Sequence, residues 1–281
     1  RRLKSPRIQR VGWALAIIIF FGGFAVSVRA QSELIPDFRL GGAALVIFGL
    51  CPGMTFVNMA TTRQTARLAG VQMGLSDALK LAVMSAAANH LPAPGGPMLR
   101  TAAFHSSGAS VKHAGLANVA SGFAWVSATS FFAGIWALSL DMLLSLILFG
   151  VGGGAFAVML GVARALPNKF VGLISLMLCN FISAAVYALS ISITLKAFGA
   201  SFMFPQVVVV SAAGVIGAAS SITPSGLGIR EAAAAGLATL IGAEPAAAFA
   251  ATAFVHLAMA AITGVFAVYF FMRSKAATLA T

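Results

Sequence analysis

A seven-residue pattern, P-x-G-x-x-x-R, occurs twice in this chain, each time where an apolar stretch breaks. The first copy is Pro94-Gly95-Gly96-Pro97-Met98-Leu99-Arg100 and the second is Pro224-Ser225-Gly226-Leu227-Gly228-Ile229-Arg230. They lie 130 residues apart in a chain of 281, so each half carries one. Proline and glycine end helices, and an arginine held beside such a break in apolar surroundings is costly. Repetition at a fixed offset points to a duplicated chain that needs two interrupted helices.

Composition sets the solvent in which those breaks sit. Sixty percent of residues are apolar, nine percent are charged, and the mean hydropathy is +0.98. These values exclude an ordinary soluble domain. The net charge of +12 does not form a basic face suited to nucleic acid, because the cations cluster between apolar segments. Cys51 and Cys179 both lie inside apolar segments, and no CxxC or Cys/His ligand spacing is present. No metal site, cofactor or nucleotide-binding P-loop is therefore expected. The sequence starts without methionine, which fits a trimmed N-terminus, and Val11 to Val28 is longer than a usual signal-peptide core.

A transmembrane helix needs about 20 apolar residues. Uninterrupted spans are expected at about 11–28, 40–62, 114–138, 141–163, 170–195 and 245–272. Two further segments, 77–107 and 206–242, are broken at the motif. Most of their arms are too short to cross roughly 30 Å of hydrocarbon at about 1.5 Å per residue. Both read as re-entrant hairpins, since irregular backbone at membrane depth survives only against protein or a wet cavity.

Adding 130 to the first-half boundaries reproduces the second half, element by element. The expected fold is an all-α polytopic membrane protein, a single integral membrane domain over 1–281 with repeats at about 11–138 and 141–272. Each half is span, span, re-entrant hairpin, span, giving six full spans and two broken hairpins. An odd number of crossings per half makes the repeats inverted. With both termini cytoplasmic, 13 of the 18 Lys/Arg lie inside, three outside, and two in the hairpins. Treating each hairpin as one crossing helix gives 11 against five, a poorer fit to the positive-inside rule. The tips, with Arg100 and Arg230, are then expected to approach each other near the midplane, each arginine in the first turn of its outgoing half-helix.

The chemistry at those tips has two readings. A helix N-terminus presents unpaired N–H groups and a positive dipole end, and an added guanidinium makes sense there if an anion completes the site. Guanidinium suits phosphate through paired hydrogen bonds. Alternatively each arginine caps neighbouring helices or pairs with a buried carboxylate. Two arginines at membrane depth cost about 5–7 kcal/mol before compensation. Glu231 is a pairing or orienting group, with Arg100 as a candidate partner, or a protonatable coupling residue. Asn89, His90 and His105 flank the first hairpin and His256 lies in the last span, where lone polar residues are more often satisfied by interhelical hydrogen bonds than catalytic. Gly150 and Gly154 form a GxxxG expected to serve close helix packing.

The stretch Ile222 to Glu231, followed by Gly236 and Gly242, closely resembles the P-x-G-x-G-[VI]-R-E signature of the lysylphosphatidylglycerol synthase transmembrane, or flippase-like, family. Leu91-Pro92, Gly96 and Arg100 resemble that family's first-half motif. The resemblance spans essentially the whole chain. It implies a bacterial cytoplasmic-membrane protein that moves lipids with anionic or modified head groups between leaflets. The implied substrate-binding residues are Pro224, Gly226, Gly228, Arg230 and Glu231, with Pro94, Gly96 and Arg100 from the first copy. The sequence reaches Thr281 without the soluble aminoacyl-transferase domain of full-length lysyl-lipid synthases, so aminoacylation is not expected.

The leading functional expectation is a flippase for an anionic or phosphate-bearing (glyco)phospholipid or isoprenoid lipid, working by alternating access. One rival is a membrane-embedded enzyme acting on a lipid phosphate, with His105 or His90 beside Glu231. No convincing catalytic constellation supports that reading, and His105 is retained as a candidate head-group contact. The other rival is a non-transporting partner of a separate lipid-modifying enzyme.

Overall fold

The chain is described by a computed structural model over residues 39–89, 95–167, 170–220 and 226–279. The expected first span at 11–28 lies outside the described residues. The described residues contain helices and no strand. Helix α1 runs over Leu40–Leu68, α2 over Leu75–Ala88 and α3 over Gly95–Ser106. Helices α4 (Val111–Ala137), α5 (Met142–Ala163) and α6 (Phe170–Ala197) follow. The remainder is α7 (Phe204–Ser211), α8 (Ala213–Ser220), α9 (Ile229–Leu240) and α10 (Pro245–Leu279).

Five of these helices, α1, α4, α5, α6 and α10, are long and apolar enough to cross a membrane. They coincide with the spans expected at 40–62, 114–138, 141–163, 170–195 and 245–272. The architecture is that of a multi-pass, all-α membrane protein. Helix α1 contains a π turn at Val46–Leu50, where the Cys51 N–H reaches back to the Val46 carbonyl. Pro52 follows at once and has no N–H to donate, so the backbone widens by one residue before regular α-helix resumes.

Both segments expected to be interrupted are interrupted. Helices α2 and α3 have 14 and 12 residues, about 21 and 18 Å, and flank the first motif. The second segment has an additional break at Ala212 that the sequence reading lacks. There the Ala212 N–H bonds to the Val209 carbonyl and the Val215 N–H to the Ala212 carbonyl, a tightened turn between α7 and α8.

Spans pack through small residues. Helix α4 buries Ala124, Ala128, Ala133 and Ala137 and lies against α5. Gly134 sits under the Phe149 ring and Gly152 under the Phe131 ring, and Ser145 Oγ donates to the Gly134 carbonyl at 2.9 Å. Close approach through small residues and an interhelical hydroxyl bond is the usual way to hold helices in lipid. The expected contact glycines are displaced, however. Gly150 and Gly154 are exposed, and a methyl group added to either meets nothing within 4 Å. Helical periodicity explains the shift: the buried stripe of α5 is Ser145, Gly152, Ala155, Met159 and Ala163.

Helices α1 and α6 run antiparallel at the centre. Arg39 N–H donates to the Ala197 carbonyl and Gly42 packs on Ala197, whereas Gly172 packs on Leu68 at the other end. One apolar core gathers Leu68, Leu81, Phe104, Ala109, Ala114 and Leu173 at the Leu68 end. A second gathers Val46, Leu195, Ala200, Val207, Ala238 and Ala247 at the Ala197 end.

Candidate functional site

The second motif shapes its backbone through two glycines. Gly226 and Gly228 adopt φ of +73° and +80°, values that a side chain disfavours. A Cβ on Gly226 would also stand 2.9 Å from the Gly217 backbone. A Cβ on Gly217 would in turn stand 2.9 Å from Arg230 Cβ. These absences of side chain let α9 start hard against α8. Helix α9 then begins at Ile229, which puts Arg230 in its first turn.

The first motif behaves differently despite identical spacing. Helix α3 begins at Gly95, so Arg100 is its sixth residue and lies in the second turn. The expectation of a first-turn arginine is therefore corrected for this copy. The reason is local: Pro97 fits an early helical position, and neither Gly95 nor Gly96 has the positive φ that delays α9. Gly96 instead provides clearance, because a Cβ there would collide with the Asn89 side chain and the Ser85 carbonyl. Pro94 and Pro224 lie outside the described residues, as does His90.

Protein groups complete the starts of both outgoing helices. The Gly96 N–H donates to Asn89 Oδ1 at 3.1 Å. The Gly228 N–H donates to Glu231 Oε2 at 2.6 Å, the backbone-to-carboxylate half of a capping box. These bonds use donors that the sequence reading assigned to an external anion.

Glu231 is fully buried, and its other oxygen, Oε1, lies 2.7 Å from Nδ1 of the buried His256 on α10. Both carboxylate oxygens are thus engaged within the second half, by Gly228 and His256, and the expected pairing with Arg100 is not formed. The preceding half shows a neutral analogue. Thr101, the residue after Arg100, accepts a hydrogen bond from Asn118 Nδ2 of α4 at 2.9 Å. In each half the residue after the arginine ties the outgoing half-helix to the following span.

The two arginines line one cavity of about 420 Å³. Its walls include Met54, Asn58 and Thr61 of α1 and Asn180, Ala184 and Tyr187 of α6, with matching i, i+4, i+7 spacing. The α6 residues lie near the middle of their span, whereas those of α1 run from its middle at Met54 toward its Leu68 end. Helix α4 adds Ser121, Gly122, Trp125 and Thr129, and α8 adds Gly214. Tyr187 is close enough to feel the positive charge of Arg230. Arg100 Nε and Thr129 Oγ1 are buried and have no hydrogen-bond partner among the described residues.

The remaining expected site residues divide. Gly96, Gly226 and Gly228 shape the tips, and neither they nor Glu231 line the cavity. His105 is exposed at the far end of α3, with Nδ1 2.8 Å from the Ala109 carbonyl, where it closes a helix end. Asn58, Asn180, Trp125 and Thr129 were missed. Their only sequence signal was uncharged polarity or aromaticity within a span, which interhelical packing explains equally well. No model of a known protein family matches the chain, and no curated protein matches it.

Proposed function

We propose that this protein is a lipid transporter that passes an anionic head group between leaflets through the cavity shared by Arg100 and Arg230. The observation that carries the reading is that arginines from two separately broken segments line the same cavity. A guanidinium between spans is expensive and marks a site of function in membrane proteins. The resemblance of Ile222 to Glu231 to the flippase-like signature agrees with it. Neither Glu231 nor His256 is among the residues lining the cavity, so the lining offers a lipid phosphate no acid–base pair.

An inverted repeat with re-entrant hairpins supplies the symmetry that alternating access uses. Near-reciprocal packing supports it: Gly42 contacts Ala197, and its counterpart Gly172 contacts Leu68, one residue beyond the position that the 130-residue offset gives for Ala197. Helix α3 packs on α4 as α9 packs on α10, and α4 packs on α7 as α10 packs on α2. Re-entrance is supported because Leu68, before the first broken segment, shares a core with Ala109 and Ala114 beyond it. Leu195 shares one with Ala247 in the same way. On this reading the termini face the cytoplasm and the hairpins enter from opposite faces of the cell membrane.

The test is reconstitution with fluorescent phosphatidylglycerol and chemical quenching of the outer leaflet. Wild-type protein should make inner-leaflet lipid accessible, and Arg100→Ala and Arg230→Ala should reduce that rate at least tenfold while inserting normally. Equal rates for wild type and both variants would remove the proposed role of the arginines.

A further inference from the structure

We propose that the cavity selects a phosphate bearing an uncharged polyhydroxyl group and discriminates against a phosphate bearing a cation. The inference rests on the transport reading for its physiological setting, but the selectivity follows from the wall itself. Two guanidiniums face the cavity and none of its lining residues is acidic. Of the acidic residues described, Asp77, Asp141 and Glu244 are exposed, and Glu231 is buried and bonded to Gly228 and His256. An ammonium-bearing head group would therefore meet two guanidiniums and no carboxylate in the cavity wall to receive it.

The rest of the wall suits hydroxyl groups. Asn58, Ser121, Thr129 and Ser183 offer amide and hydroxyl groups that donate and accept, the complement of a polyol. Two observations independent of the charge count point to a ligand. Arg100 Nε and Thr129 Oγ1 are buried, border the cavity and lack hydrogen-bond partners among the described residues, a state that buried polar atoms rarely keep. Gly214 also leaves open the space between Trp125 and Arg230. A Cβ there would stand 3.7 Å from Trp125 Cζ2 and 3.9 Å from Arg230 Nε. An indole edge beside a guanidinium provides an apolar surface for a sugar or cyclitol ring next to the charge that holds its phosphate.

Purified full-length protein in detergent is titrated with inositol 1-phosphate, inorganic phosphate and phosphocholine, following the ligand-induced rise in unfolding temperature. Inositol phosphate should half-saturate at a concentration at least tenfold below phosphocholine, with inorganic phosphate between them. Arg100→Ala should lose the shift, and Gly214→Leu should weaken inositol phosphate at least fivefold while sparing inorganic phosphate. Equal or tighter binding of phosphocholine, or no shift with any ligand, overturns the proposal.

Proteoliposomes separate this result from the transport reading. Fluorescent phosphatidylinositol moving faster than phosphatidylcholine is expected; equal movement overturns the selectivity and leaves transport standing. Selective binding without lipid movement overturns transport and leaves the selectivity standing. Accumulation of free radiolabelled inositol phosphate, with lipid unmoved, would assign the same chemistry to a soluble solute and overturn the lipid source.

Discussion

Glu231 and His256 are joined across the α9–α10 interface at 2.7 Å, while the same carboxylate holds the Gly228 N–H at 2.6 Å. One buried side chain therefore fixes the start of α9 and its attachment to the next span. Arg230 is the adjacent residue, so its entry into the cavity depends on that anchor. The expected consequence is large. Glu231→Ala removes an acceptor from a buried N–H and from a buried imidazole, and should destabilise by about 3 kcal/mol. Glu231→Gln keeps an acceptor oxygen and should lose markedly less. Thermal unfolding of the purified variants checks this, and an alanine variant as stable as wild type would show that the anchor is not energetically important.

The first half has a weaker version of the same anchor. Asn118 Nδ2 donates to Thr101 Oγ1 at 2.9 Å and to the Ala114 carbonyl at 3.1 Å, all between neutral groups. Neutral bonds contribute roughly half as much as charge-assisted ones. Asn118→Ala should cost about 1–1.5 kcal/mol, and its fall in unfolding temperature should be smaller than that of Glu231→Ala. The reverse order would contradict this ranking.

Glycines in the second broken segment separate by what surrounds them. Gly226 combines φ of +73° with the near-contact to the Gly217 backbone, so Gly226→Ala should cost about 2–3 kcal/mol and reduce transport. Gly236 lies in α9 with nothing within 4 Å of an added Cβ. Gly236→Ala should be neutral or stabilise by up to about 1 kcal/mol through helix propensity. Comparable losses in both variants would indicate a general intolerance of α9 rather than the local geometry described.

These contrasts show what the sequence made legible. Apolar length located five spans and the two interrupted segments, because bilayer thickness acts on local composition. Spacing also singled out Arg100 and Arg230, which line a common cavity. Helix phase was less legible. Identical P-x-G-x-x-x-R spacing starts one helix at Gly95 and the other at Ile229, since Gly226 and Gly228 adopt positive φ and the first-copy glycines do not. Partner choice across helices was hidden as well. Glu231 binds His256, 25 residues away, and Asn58, Trp125 and Asn180 meet only once the spans are packed.

The displaced packing glycine gives a direct check on α5. An added methyl at Gly152 would lie 3.0 Å from the Phe131 ring, whereas the same change at Gly154 meets open space. Gly152→Ala should lower the unfolding temperature by several degrees, an overpacking cost of about 1–2 kcal/mol. Gly154→Ala should leave it unchanged or raise it slightly. A larger effect at Gly154 would restore the GxxxG pair as the contact surface.

The proposed re-entrance of the first hairpin makes a prediction that needs no substrate. Arg67 precedes the broken segment 77–107 and Lys112 follows it. If the segment turns back at its motif, both positions face the same side of the membrane; if it crosses as one broken helix, they face opposite sides. Helices α2 and α3 have only 14 and 12 residues, each too short to span alone, and Leu68 and Ala109 share one apolar core. In a variant with Cys51 and Cys179 replaced, Arg67→Cys and Lys112→Cys should therefore react with a membrane-impermeant thiol reagent from the same face. On the cytoplasmic-terminus reading, intact cells protect both and inverted vesicles expose both. Labelling of one position in cells and the other only in inverted vesicles would make the segment a crossing helix. It would also remove the inverted symmetry on which alternating access through the two arginines depends.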